Sequence, residues 1–436
     1  MSICAKQFFA VGLGMFLLLQ GRAAVNLRVV EREGWKTIEM ENDLLKVVLI
    51  PDMARFPYSF VYKPTGHDFM VQPEPLSKPV PEKGDKFVYY GGLIDSVPWV
   101  SGKIDGKPLP VKGYLHFAKW KYTTGETNGS VWFDGHADFK YQVPYTTNEA
   151  SLRVRKKMTL HAGSAVFRMD YTIENTGETD AVFTFDIHAR AAINEWDKGD
   201  YFWAPGKKTF VYELHRMEGV EKRGIKLFTW TDWPIPEVVE LNPSPETTYI
   251  FTYTPANWCV VGDAKTKEAL FFISSPIQYR NRKDVMKMGI FKTNQAYVVQ
   301  PCLSYALQVA DDIWHQPGAT VTLPPGEKCE FTMDLAGYAG LEKNDVFAAF
   351  DAMPECVLLE TPSLVEDGSK IRLSGRLAFA AHGSLFLMSG ADIMKKVNIQ
   401  PGILDLGSIG EMPSPRGGPV AVEFESAMGR CVLCRF

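Results

Sequence analysis

His188 stands in the segment AVFTFDIHAR, residues 181–190, where Phe183, Phe185 and Ile187 share one parity and Thr184, Asp186 and His188 the other. Alternation of this kind predicts a strand, with His188 at the end of its polar face, before a loop. An imidazole there is suited to carrying a proton near neutral pH. It is equally suited to a plain cross-sheet hydrogen bond. Aromatic side chains gather around the loops: Trp99, Trp196, Trp203, Trp230, Trp233 and Tyr279. Sugars offer apolar C–H faces that stack on such rings. Tyr and Trp combine that apolar body with one polar tip. Trp99 follows Pro98 in GGLIDSVPW, and Trp196 comes eight residues after His188. Both are expected in a cleft, and Trp35, Trp120 and Trp258 in the core.

Other chemistries find no support. The eight histidines form no HxH or HxxxH pair. No Walker loop, no GxGxxG after a strand and no GxSxG elbow occurs. No metal and no cofactor is expected. Cys431-Val-Leu-Cys434 has the CxxC spacing, without a second pair or a nearby His. Buried strand cysteines are the better reading of this set. No clear carboxylate pair in the loops suggests a glycosidase.

The chain has 436 residues, of which 46% are apolar, enough to bury a core without staples. Lys6, the apolar run Phe8–Leu19 and the small residues around Ala23 and Ala24 follow the order of a secretory signal. The run is well short of the roughly 20 residues that span a bilayer. Residues 1–24 are therefore read as a cleaved signal peptide. The protein is expected to be exported, periplasmic or extracellular, with no membrane span thereafter. Of 47 basic and 51 acidic residues, the signal removes Lys6 and Arg22 and no acid, leaving a net charge near −6. That balance, without basic clusters, excludes nucleic acid as a partner. Export permits disulfides among the six cysteines that remain after Cys4 leaves, with no connectivity legible.

The elements that must hold these residues are strands. In SLRVRKKMTL, Leu152, Val154, Met158 and Leu160 alternate with Arg153, Arg155, Lys157 and Thr159. In AVFRMDYTIE, Phe167, Met169, Tyr171 and Ile173 share a face, and Asn175-Thr-Gly177 turns the chain. With AVFTFDIH these predict a three-stranded antiparallel meander in a large sheet. The one good helix is NDVFAAFDAM, with Asn344 or Asp345 as N-cap and Pro354 beyond its end. It marks a boundary between residues 25–353 and an accessory β-sandwich-like domain over 354–436.

The segment LLKVVLIPDMARFPYSFVYKPTGHDF, residues 44–69, places a strand, a turn, an Arg and a second strand near the start. It resembles the opening of galactose mutarotase-like proteins, the aldose 1-epimerase superfamily. YYGGLIDSVPW, PVKGYLHFAKWKY, the 153–193 meander, YVVQPCLSY and LPPGEKCEF then resemble later segments of that superfamily, in the same order from about Lys36 to Gly340. No single motif is specific; the order carries the resemblance. It implies an all-β chain, a β-supersandwich with a saccharide cleft.

Residue by residue, the resemblance carries over in part. His188 matches the histidine that donates a proton to the sugar ring oxygen. Arg55 matches a binding arginine. Where the family has His-Gly, this chain has Lys112-Gly113, and where it has Glu-Pro, this chain has Gln300-Pro301. A Gln amide is no general base at neutral pH, so simple mutarotation of neutral hexoses is not expected. Lys112 adds a cation suited to an acidic sugar. Related supersandwich lyases use Gln, His, Arg and Tyr, roles for which His188, Gln300, Tyr279 and Arg280 are available. Three readings stand: a divergent epimerase- or lyase-like enzyme, a carbohydrate-binding protein without turnover, and a structural module of the cell envelope. Fold alone does not decide among them.

Overall fold

The structure is a computed structural model that describes residues 24–71, 91–192, 199–215, 229–241, 249–280, 282–292, 297–305, 308–309, 314–349, 351–415 and 419–436. It is almost entirely β. Among the described residues, ten strands form a large sheet and seven a second sheet, with smaller sheets around them. The two main sheets face each other across one apolar core. Val154, Met158, Phe167 and Met169 enter it from the large sheet, and Leu93, Ile187, Ala189, Met288, Ile290 and Val299 from the second.

The large sheet is built on long antiparallel strands, Ser130–Gln142, Glu149–His161 and Val166–Asn175. Their side chains alternate as the sequence implies. Leu152, Val154, Met158 and Leu160 are buried, while Arg153, Arg155 and Lys157 face solvent. On the outer face Arg155 grips Asp134 through two bonds of 2.9 and 2.6 Å, a fork geometry that fixes the pair.

The expected third meander strand does not exist as one element. Ala181–Phe183 pairs with Val321–Leu323, and Asp186–Ala191 belongs to the second sheet between Leu93–Ser96 and Tyr297–Cys302. The chain changes sheets at Thr184, whose N–H donates to the Pro98 carbonyl at 2.7 Å. Lys328–Ala339 takes the vacated place beside Val166–Asn175. Parity runs unbroken through 181–188 because both halves are buried strands, so the alternation holds no mark of the crossing.

The predicted helix is also shorter than its sequence pattern. It covers Lys343–Ala348, and Glu342, not Asn344 or Asp345, is its N-cap. The Asp345 carboxylate instead accepts two hydrogen bonds from Arg376, both 2.8 Å. Residues Asp351–Met353 form a strand paired with Cys356–Leu358. Backbone pairing there outcompetes continuation of a helix too short to stand alone.

Residues beyond Met353 build small sheets around their own apolar cluster, including Leu373, Leu377, Leu385, Leu387, Val422 and Phe424. This unit is tied to the main body by backbone. Ala165 N–H donates to the Ala380 carbonyl at 2.7 Å, and His382 N–H to the Gly163 carbonyl at 2.9 Å. Glu355 accepts from Ser164 at 2.7 Å and also from Ser426. Among the described residues, no helix is long and apolar enough to cross a membrane.

Candidate functional site

The second sheet has two buried faces. Ile187, Ala189 and Ala191 point into the core, and Asp186, His188 and Arg190 point the other way. Gln300 and Cys302 share that outer face, since Val299 lies in the core. The register brings them together. Asp186 pairs with Cys302 and Ala189 with Val299, which sets His188 directly across from Gln300.

Four polar side chains meet there, each with less than a tenth of its surface exposed. Lys112 Nζ lies 2.5 Å from His188 Nδ1, and Gln300 Nε2 lies 3.0 Å from the same nitrogen. Gln300 Nε2 also donates to Asp186 Oδ2 at 2.6 Å, and Gln300 Oε1 accepts from the Tyr253 hydroxyl at 3.3 Å. Lys and amide nitrogens only donate. His188 Nδ1 is therefore an acceptor, and the neutral ring carries its hydrogen on Nε2. Asp186 Oδ2 at 3.7 Å from Nδ1 is too far for a hydrogen bond.

Burial, followed by the Lys112 charge, pushes the His188 imidazole down to about 4. Burial likewise pushes Lys112 down to about 8, with Asp186 opposing. For Asp186, burial works to raise the pKa, and the Lys112 ammonium with His188 and Ser96 outweighs it, holding the carboxyl below its usual range. At neutral pH the set is an ammonium, a carboxylate and an uncharged imidazole that presents Nε2–H.

Lys112 reaches this place through an unusual backbone. Its φ is 66°, followed by Gly113 at 67°, and its N–H donates to the Val100 carbonyl at 2.5 Å. A Cβ at Gly113 would sit 2.1 Å from the Val97 carbonyl oxygen, so only glycine fits. Trp99 supports the same loop. Its indole N–H donates to the Pro110 carbonyl at 3.0 Å, and its ring packs edge-on against Tyr114 and Tyr141. Expected in a cleft, Trp99 lies instead in the core, 1% exposed. Proximity to a loop did not distinguish a ring that lines a cleft from one that holds the loop up. Trp35, Trp120 and Trp258 are buried as expected.

Arg55 is fully buried. It follows Ala54 in the left-handed region and donates from Nη1 to the Met53 carbonyl at 2.8 Å. Its charge reaches His116, whose imidazole is pushed down to about 3 by burial first, then by Arg55. His116 also hydrogen-bonds the Lys112 backbone. Sequence reasoning passed over His116. The available signal was its place four residues after Lys112 in KGYLH.

The remaining candidates lie elsewhere. Tyr279 and Arg280 sit at the Ile277–Tyr279 strand of the large sheet, where Tyr279 pairs with Cys329 and its hydroxyl donates to the Thr322 carbonyl. Trp196 lies outside the described residues. Among the described residues no group of three or more His, Cys, Asp or Glu is placed to hold a metal ion. Cys259, Cys302, Cys329, Cys356, Cys431 and Cys434 are all unpaired.

Behind the site, Asp95 faces the core from the same strand as Ser96. It accepts from Lys156 Nζ at 2.8 Å and from the Tyr171 hydroxyl at 3.0 Å. Lys156 is wholly buried and comes from the large sheet, on the apolar face of its strand. This ion pair joins the two sheets directly beneath the His188 cluster.

No protein-family model matches the sequence, and no curated protein does. Solved structures do resemble it. A galactose mutarotase-like protein from Clostridium acetobutylicum is 12% identical with a TM-score of 0.53, over 73% of this chain and 99% of that one. A galactose mutarotase related enzyme from Lactobacillus acidophilus is 16% identical with a TM-score of 0.49, over 70% of this chain and 98% of that one. The first of these shows that the chain has the galactose mutarotase-like β-sandwich fold.

Proposed function

We propose that this chain, a divergent bearer of the galactose mutarotase-like fold, is an exported protein that binds a saccharide at the His188 cluster and acts on it by acid–base chemistry of the epimerase or lyase type. The observation that carries the reading is the approach of Lys112 Nζ to His188 Nδ1 within 2.5 Å. It leaves Nε2–H as a donor for a substrate oxygen, and among the described residues no protein group accepts from it. As His188 gives up that proton, Nδ1 takes one from the Lys112 ammonium behind it. The saccharide link rests on the fold and on the residues that match the superfamily's segments; export rests on residues 1–24. Neutral hexose mutarotation is not part of the proposal, because Gln300 offers an amide where that reaction needs a base.

A second reading, saccharide binding without turnover, is favoured by one observation: Gln300 Nε2 is bonded to both Asp186 and His188. Proton NMR of sugars and uronate oligosaccharides, with absorbance of unsaturated uronate products, separates the two. Turnover by the native protein that falls at least about 100-fold in His188→Gln supports acid–base chemistry. Turnover unchanged in that variant overturns it.

A further inference from the structure

The outer face of the second sheet does not end at Gln300. Tyr253 pairs with Gly289, which pairs with Gln300, and Tyr253 pairs on its other side with Phe210. Phe210 in turn pairs with Trp230. Direct partners share a face, so His188, Gln300, Tyr253, Phe210 and Trp230 lie along one row. The row passes from polar and buried at His188 to aromatic and open at Trp230. Between them, Val100, Cys302 and Ala319 close over Tyr253 and Phe210.

Trp230 is 45% exposed, yet it is not loose. Its ring meets Phe210 at 5.6 Å, 66° between planes, and Tyr305 at 6.4 Å. Phe210 is buried, and the Tyr305 hydroxyl is anchored on the Pro317 carbonyl at 2.9 Å. One row along, on the same face, Lys208 pairs with Asp232, whose side chain is 87% exposed. Among the described residues the Trp230 indole N–H has no acceptor. The surface is thus a fixed aromatic plane rimmed by a carboxylate, an ammonium and an N–H donor. Apolar C–H faces flanked by hydroxyls match that combination. An apolar protein partner would desolvate the Asp232–Lys208 ion pair and offer neither charge a further partner.

We propose that Trp230, with Phe210, Tyr305, Asp232 and Lys208, is a second saccharide-binding surface, which holds a ring of a glycan chain. Five interstrand steps of about 4.8 Å separate it from His188, on the order of 24 Å, so one monosaccharide cannot occupy both. The saccharide is therefore polymeric. The surface shares the carbohydrate reading of the His188 cluster but does not require that cluster to be catalytic.

Affinity electrophoresis tests this, in native gels containing xylan, polygalacturonate, laminarin or arabinogalactan. The native protein is expected to be retarded by at least one. Trp230→Ala is expected to weaken that interaction by about tenfold, and Trp230→Phe by less. Circular dichroism and light scattering are run alongside. Retardation by none of the four overturns the proposal, as does retardation of Trp230→Ala equal to that of the native protein. Concentration-dependent dimers that Trp230→Ala disperses overturn it too, by assigning the ring to a second copy. Retardation that depends on Trp230, in a protein with no turnover, upholds this surface while the acid–base reading fails.

Discussion

Gln300 faces His188 across two neighbouring strands, its Nε2 3.0 Å from the imidazole Nδ1 and 2.6 Å from Asp186 Oδ2. Position 300 carries an amide, and the carboxylate of this pair stands at position 186, two residues from His188 on the same strand. Gln300→Glu alone would set two carboxylates in contact, and only one of them would ionise. We expect that variant to lose about 1–3 kcal/mol of stability, because a carboxyl with one proton cannot donate to both Asp186 and His188 as the amide does. The exchange Asp186→Asn with Gln300→Glu restores one acid and one amide. It should recover most of the loss and mutarotate glucose or galactose at least about 100-fold faster than the native protein. Urea denaturation and polarimetry are the measurements. Fast mutarotation by the native protein would show that position 300 does not control the reaction.

His188 and His116 titrate at about 4 and about 3 in the folded chain, against 6.5 when unfolded. In that interval the unfolded chain binds protons that the folded one does not. Stability therefore rises with pH through the window, and falls as pH drops from about 6.5 toward 4, by up to about 1.4 kcal/mol per pH unit for each ring. Urea midpoints between pH 7.5 and 5 should fall for the native protein and fall less for His188→Gln or His116→Gln. Equal slopes in all three would contradict the assigned burial.

Removal of Lys112 by Lys112→Met takes away a charge that depresses His188. We expect the His188 pKa to move up from about 4, read from the ring proton shifts in an NMR titration. An unchanged titration would mean that the Lys112 ammonium does not face the ring.

The Lys156–Asp95 pair is expected to be costly to halve. Lys156→Met leaves Asp95 buried with only the Tyr171 hydroxyl, and Asp95→Asn leaves an ammonium between two sheets. Each should cost about 3–5 kcal/mol, and the double replacement Lys156→Met with Asp95→Leu less than either. Denaturation of the three variants settles whether the pair couples.

Gly289→Ala should uncouple Tyr253 from Gln300. A Cβ there would lie 2.4 Å from the Tyr253 ring. We expect a loss of about 1–3 kcal/mol from overpacking. Gln300 side-chain NMR signals should shift, which a change confined to Tyr253 packing would not produce.

Strand identity was legible wherever one face met water. Leu152 to Leu160 and Phe167 to Ile173 alternate in the sequence as they do in space. Lys156 escaped notice because its type reads as solvent-facing, and its charge is paired by Asp95, sixty-one residues earlier. The sheet crossing near Thr184 was invisible because a strand buried on both faces has no polar edge to mark a change of partner. His188 emerged from the parity of its strand, and Lys112 from segment order. The tryptophans could not be sorted, because Trp99 and Trp230 differ in the far sides of their rings, which depend on residues remote in the chain.

Ala165, Gly163 and Glu355 bind the C-terminal unit to a hairpin of the large sheet. Residues Val357, Leu359, Ala378 and Ala380 belong to the main core, although they lie past the boundary drawn at residue 354. A chain cut there would be an amputation through living tissue: the hairpin at residues 161–165 would lose its backbone partners, and the main core part of its wall. Calorimetry of the whole chain should accordingly give one endotherm, and a fragment ending at residue 353 should aggregate where the full protein stays dispersed.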